Sequence, residues 1–324
     1  MYKKILIYNS GGGLGDTIQL FPLILSLKNH FNKCALFYLG AHQNHFNEKL
    51  KEFNIKLDTI DLDLKYFGFR WWHLLKIKKK IIEKKLDKFD LIIDLQSKLR
   101  NTIILKQIPC HNFFSHTLNF FFCTRKNNYL NNENNLSSSI LLNLEIFLNT
   151  EIKKIDFNLN ELSKKYLEEA KRLLPEKNYI GFSVTQGNAY RKKSWPINSF
   201  INLAKKYISI GKKAVFFIEK KDVELINYIK NNLPTAMFPE LESKIACPAL
   251  VTALASKLEK AITIDNGIMH MISLAKIPMI TLFGPTSSKK FSPKGDNVKI
   301  LDSNELYKTN DISKISAEDV FNYF

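Results

Sequence analysis

Gly11, Gly12, Gly13 and Gly15 stand within five residues of one another, and Asp16 follows at once, all directly after the run KKILIYN. Glycines between a strand and a helix leave backbone N–H groups uncovered, let a ligand approach closely and supply φ freedom. Asp16 at the mouth of the helix then has two readings: a cap that satisfies orphan amides, or a carboxylate that faces a ligand and takes a proton. Later, KAITID ends in Asp265, Asn266 and Gly267, and a helical pattern begins with Ile268, Met271, Ile272 and Ala275 on one face. Such a helix start offers free amides and a positive dipole to phosphate oxygens, with Met269 and His270 expected off the apolar face. The stretch VTQGNAYRKKSWPINSF sets Thr185 and Gln186 after a strand, and Arg191, Lys192 and Lys193 ahead of Trp195 and Pro196. One of these lysines can neutralise a diphosphate; a solvated basic loop is the plain alternative. Pro196 suits the first turn of a helix, with Trp195 packed beneath it. Glu219 closes KAVFFIE, where a carboxylate can accept hydrogen bonds from ribose hydroxyls, and Gly284 with Pro285 turns the chain after MITLF.

Several chemistries are excluded by spacing. In the frame that begins at Gly11 and Gly13, Asp16 occupies the place of the third glycine of a dinucleotide fingerprint, and CALFYLG ends without the ribose-binding acid. No GK[ST] follows the glycines, so the turn is not a P-loop. Cys34, Cys110, Cys123 and Cys247 are far apart with no CxxC pair, which fits neither a zinc site nor a redox motif and points to a reducing compartment.

The elements that position these residues alternate. KKILIYN, the helical DTIQLFPLILSLKNHF with Ile18, Phe21 and Leu25 at helical spacing, and CALFYLG read as strand, helix, strand. A third strand is expected at Phe89–Gln96, preceded by the lysine-rich helix WHLLKIKKKIIEKKL with Leu75, Ile77, Ile81, Ile82 and Leu86 as its apolar stripe. A polar loop and the helix ILLNLEIFL follow. After SKKYLEEAKRLL the alternation restarts with NYIGFSV, PINSFINLAKKYI, KAVFFIE, DVELINYIKNNL, ALVTALASKL, KAITID, GIMHMISLAK and MITLFG. This implies parallel sheets covered by helices on both faces, with ligands beyond the carboxyl ends of the strands. At 324 residues, 45% of them apolar, two domains are expected.

The formal charge of +17 is spread over many lysines, but Lys65 to Lys106 hold 12 basic and four acidic side chains. Aromatic residues from Tyr66 to Trp72 lie ahead of the basic helix, a composition suited to a membrane surface or to plain solvation. The uncharged stretch Gln107–Thr124 is interrupted by Pro109, His111, Asn112, His116 and Asn119 and is not expected to span a membrane. The N-terminal LIY run is too short for a signal-peptide core.

Taken in order, these stretches resemble the ADP-heptose:lipopolysaccharide heptosyltransferases, inverting glycosyltransferases of GT-B architecture. GGGLGDTIQLFPLI looks like their opening G-x-G-D turn and helix, KKSWP like their K-x-W-P segment, and DNGIMHMISLAKIPMITLFGPT like their D-[TS]-G-x-x-H…FGPT segment. DLQSKLRNTI is similar to their D-x-Q-G-x-x-[KR]-S stretch, with Arg100 in the basic position. Asn266 departs from the Thr or Ser of the family, and Ser97 replaces a glycine.

The resemblance implies an α/β protein of two Rossmann-like, doubly wound domains facing a central cleft. Residues 1–155 would bind the acceptor and residues 156–324 the nucleotide sugar, with the last helix free to pack back on the first domain. Asp16 would be the general base and Lys193 the stabiliser of the leaving diphosphate, together with the helix start at Gly267. An ordinary aspartate titrates near ~3.9, so partial burial in the closed cleft is expected to strengthen Asp16 as a base. The donor would meet Thr185, Gln186, Lys192, Glu219, Asp265, Asn266, Gly267, Met269, His270 and Gly284. The acceptor, an anionic glycolipid, would meet Gly13, Gly15, Arg70, Gln96 and Arg100. No cofactor and no metal are implied beyond the ADP-sugar substrate. The expected place is the cytoplasm, peripheral at the cytoplasmic face of the inner membrane, with no nucleic-acid partner. Two alternatives stand beside this: a GT-B enzyme with another nucleotide sugar or a protein acceptor, and a non-catalytic basic protein that binds nucleic acid or anionic membrane.

Overall fold

The computed structural model describes residues 2–40, 45–130, 136–186 and 193–323. The chain divides into two compact units, Met1–Phe157 and Asn158–Phe324.

The first unit is built on strands β1 (Lys4–Asn9), β2 (Ala35–Gly40), β3 (Asp58–Thr59), β4 (Phe89–Asp94) and β5 (Cys110–Ser115), all parallel in the order β3-β2-β1-β4-β5. Ile5, Leu6, Ile7 and Tyr8 are fully buried, as a central strand covered on both faces requires. The order reverses between β1 and β4, so the crevice at their carboxyl ends is a topological switch point. The glycine turn leaves β1 there, and Gln96 leaves β4.

The second unit repeats the plan with β6 (Tyr179–Ser183), β7 (Lys213–Phe217), β8 (Leu258–Ile264), β9 (Met279–Phe283) and β10 (Val298–Asp302), parallel in the order β10-β9-β8-β6-β7. Its switch point lies between β6 and β8, where Thr185 and Gln186 follow one strand and Asp265 and Asn266 the other. The core around Phe182, Phe200, Phe216 and Trp195 also takes in Ile312, Ile315 and Val320. The last helix, Ala317–Asn322, for which a return to the first domain was allowed, is held on the helix Ile197–Ser209 of the second unit, with Phe321 against Tyr207.

Three strands escape the sequence pattern. β3 is two residues long, and the edge strand β5 begins with polar, partly exposed Cys110, His111 and Asn112. β10 is five residues long, and only its last two, Leu301 and Asp302, are buried. The helix after the glycine turn is two helices, Leu14–Ile18 and Phe21–His30, because Pro22 starts a new one. Leu25 is only half buried; Phe21, Leu23, Ile24 and Leu27 face the core. The lysine-rich helix runs from His73 to Glu83, and its inward residues are Leu74, Ile77 and Ile81. Leu75 and Ile82, expected in the buried stripe, are 83% and 77% exposed. Pro196 is the N-cap of its helix, one residue ahead of the expected position.

Candidate active site

In the first unit, Gly13 caps the helix Leu14–Ile18 and Asp16 is its third residue. The Gly13 N–H donates to Asp16 Oδ2 at 3.1 Å. The capping geometry is therefore real, though from the third position rather than the cap itself, and the same carboxylate is exposed rather than partly buried. The glycines are needed for space rather than for φ: Gly13 has φ −95°, and neither it nor Gly11 adopts a left-handed conformation. A Cβ on Gly11 would lie 2.9 Å from Asp16 Cβ, and one on Gly13 3.2 Å from Asp16 Oδ2. The turn makes room for the aspartate.

The turn is tied to the sheet by polar side chains. Asn9 Oδ1 accepts from the Gly11 N–H (2.9 Å) and from Gln96 Nε2 (3.0 Å), while Asn9 Nδ2 donates to Tyr38 Oη (3.1 Å). Gln96 is thus joined to the glycine turn through Asn9. His45, which the sequence did not single out, is buried and lies 3.1 Å from the Gly12 carbonyl. No motif marks it, because it reaches the turn from another loop. Beneath Gln96, buried Asp94 accepts from Thr102 Oγ1 (2.6 Å), Ser115 Oγ (2.8 Å) and the Gln96 N–H (3.0 Å). Burial pushes its carboxyl up to about 6.

Arg70 and Arg100 are brought to one loop. Arg100 Nε donates to the Gly68 carbonyl at 3.0 Å, and Tyr8 Oη donates to the Phe67 carbonyl at 2.7 Å. Gly68 has φ +86°, and a Cβ there would lie 2.3 Å from Tyr8 Oη, so only glycine fits. Arg70 itself is exposed, with its guanidinium 5.4 Å from the Trp72 ring centre. Arg100 therefore supports the segment that displays Arg70.

In the second unit, Asp265 is the hub. Its Oδ2 forms a short ion pair with Lys193 Nζ and accepts from Thr286 Oγ1 at 2.7 Å. Both charged side chains are largely buried, at 14% and 8% exposure. Gln186 Oε1 accepts from the Lys193 N–H at 2.8 Å, which sets the chain direction as it enters the lysine. Thr286, beyond the glycine of FGPT, is a member that sequence reasoning missed. Lys192 lies outside the described residues.

Asn266 is the N-cap of the helix Gly267–Ser273: its Oδ1 accepts from the Met269 N–H (2.8 Å), and its Nδ2 donates to Ser183 Oγ and the Thr185 carbonyl (both 2.7 Å). The amide caps the helix through Oδ1 and makes two donations through Nδ2, one more than the single proton of a hydroxyl allows. Met269 and His270, expected off the apolar face, are both buried. Burial pushes the His270 imidazole down to about 4, with Asp265 opposing and Lys193 reinforcing the shift. It is neutral at pH 7, so it can offer a hydrogen bond but no charge. Stability linked to this group is present above its ordinary pKa of about 6.5 and is lost as pH falls through about 4.

Gly284 is buried, and a Cβ there would lie 2.8 Å from the Asn310 carbonyl and from Ile312 Cβ. Its missing side chain admits the protein's own later segment. Glu219 lies two residues past β7, exposed and paired with Lys221 at 2.6 Å. Nearby Glu240, which no motif announced, is pushed up to about 7, chiefly by burial and further by Glu219.

Two five-stranded parallel sheets, each carrying polar side chains at its switch point, make this an α/β protein of the GT-B glycosyltransferase architecture. The structure of a glycosyl transferase family 9 protein from Veillonella parvula superposes with a TM-score of 0.73 at 20% identity, covering 99% of this chain and 96% of that one. The Escherichia coli heptosyltransferase WaaC with ADP-2-deoxy-2-fluoro heptose gives 0.68 at 15% identity, over 99% and 98%. In sequence, the chain is 24% identical to lipooligosaccharide heptosyltransferase 2 of Campylobacter jejuni over 293 residues, 89% of this chain and 83% of that protein. The family model of glycosyltransferase family 9 (heptosyltransferase) matches residues 75–321, and the chain belongs to that family.

Proposed function

We propose that the protein moves heptose from ADP-heptose to an inner-core lipopolysaccharide acceptor with inversion at the anomeric carbon. The observation that carries this reading is the family match over residues 75–321 together with the Lys193–Asp265–Thr286 cluster at the switch point of the second sheet. The second unit holds the donor and the first unit the acceptor. The acceptor hydroxyl oxygen attacks the anomeric carbon, the bond from that carbon to the diphosphate oxygen breaks, and Asp16 takes the hydroxyl proton. ADP leaves with the bonding electron pair. Lys193, fixed by Asp265, meets the charge that grows on the diphosphate, and the first amides of the helix at Gly267 assist. Glu219 serves the ribose hydroxyls. Arg70 offers an exposed guanidinium to the acidic acceptor while Arg100 braces its loop.

Among the described residues no helix is long and apolar enough to cross a membrane. Peripheral contact at the cytoplasmic face of the inner membrane belongs to the same proposal, because the acceptor is a lipid. Calorimetric titration tests the donor class. ADP should bind at least about tenfold more tightly than UDP or GDP, a gap of one to two lost base hydrogen bonds. Tighter binding of UDP or GDP would replace ADP-heptose with another nucleotide sugar.

A further inference from the structure

The helix His73–Glu83 turns an unusual face outward. Trp71, Leu75, Lys78 and Ile82 follow each other at spacings of four, three and four, which is one stripe of a helix. Trp71 and Trp72 already belong to helical turns, since their carbonyls accept from the Leu74 and Leu75 N–H groups at 3.0 and 3.1 Å. All four stripe residues are exposed, Trp71 by 55%, and Trp72 (52%) flanks them. The opposite face is spent on the core through Ile77. Leu75 and Ile82 therefore have no folding role, and two nearly naked aliphatic side chains on one stripe mark a contact surface.

Charge says what it contacts. The acidic groups beside the stripe are already neutralised: Asp63 pairs with Lys84 (2.9 Å) and Lys80 (3.7 Å), and Glu83 with Lys80 (2.9 Å) and Lys79 (3.8 Å). Lys76 and Lys78 carry no ion pair among the described residues, and exposed Arg70 leans on Trp72. What remains is cationic and apolar together. A nucleic acid would leave the aliphatic side chains unused, and a second copy of the same face would repel it.

We propose that the stripe Trp71–Leu75–Lys78–Ile82, with Trp72 and Lys76, docks the protein on an anionic bilayer surface, its indoles and aliphatic side chains lying among the headgroups. The lysine stems lie along the apolar boundary while their ammonium groups reach lipid phosphates. This names the surface behind the membrane contact proposed above, but it does not depend on which sugar is transferred.

The test is flotation of the full chain with vesicles of phosphatidylcholine alone or mixed equally with phosphatidylglycerol. The mixed vesicles should bind it, and Lys76→Gln with Lys78→Gln should weaken binding about thirtyfold, at about 1 kcal/mol per lysine near an anionic surface. Leu75→Ser with Ile82→Ser keeps every charge and should still weaken binding about tenfold or more. The chain has three tryptophans, and Trp195 is buried in the second unit, so a blue shift of emission on mixed vesicles reports Trp71 and Trp72. Unchanged vesicle binding in the serine variant, or no blue shift, overturns the proposal, as does tight RNA binding with no vesicle binding. Transfer to a delipidated oligosaccharide acceptor should be untouched in the serine variant. If that transfer is absent from the unsubstituted protein while the vesicle results hold, the transferase reading fails and the docking surface stands.

Discussion

Asp16→Asn should leave ADP affinity within about twofold and lower kcat by roughly 10²–10⁴, the usual worth of a positioned general base. The substitution isolates the proton-accepting role. An asparagine carbonyl can still accept from the Gly13 N–H, so the cap seen in the structure survives and the fold loses less than about 1 kcal/mol. The carboxylate is exposed and held by the turn, so its value to the reaction lies in its placement. Gly11 and Gly13 serve that placement, since a Cβ on either would press on the Asp16 side chain. Near-normal turnover in the variant, measured by release of ADP, would reduce Asp16 to a cap.

Lys193→Met has the second large effect, and it combines two losses. Turnover should fall by about 10²–10³, the scale of removing one preorganised group from a developing negative charge. The fold should also weaken by about 3–5 kcal/mol, because Asp265 is left buried without its ion-pair partner, the Thr286 hydroxyl still donating to it. Adding Asp265→Asn removes the orphaned charge. The double variant should recover most of the denaturant midpoint and none of the turnover. Recovery of both would make the pair structural only.

Legibility of the sequence followed physical rules. The buried strands β1, β2, β4 and β6 to β9 were readable because both of their faces are covered, which leaves continuous apolar runs. β3, β5 and β10 were not, since short or partly exposed strands carry no such run. The glycine turn and the Asp265–Gly267 turn were readable from residue types at strand ends, whereas Lys193 was set apart from its basic neighbours only by the resemblance to the K-x-W-P segment. Thr286 and His45 were not, because each joins its site through tertiary contact with a residue far away in the chain. The lysine-rich helix was readable as amphipathic but not in phase: with Leu74, Leu75, Ile77, Ile81 and Ile82 all apolar, periodicity alone does not choose the buried stripe. The buried Met269 and His270 show the same limit in a helix apolar around most of its circumference.

The central step is the passage of heptose from an ADP-linked donor to a lipopolysaccharide core. Incubating the protein with ADP-heptose and a heptose-deficient lipopolysaccharide, then weighing the acceptor, reads that step directly. The acceptor should gain the mass of one heptosyl residue, with release of an equal amount of ADP. An unchanged acceptor mass with ADP-heptose, alongside a gain when a UDP- or GDP-sugar is supplied, would contradict it.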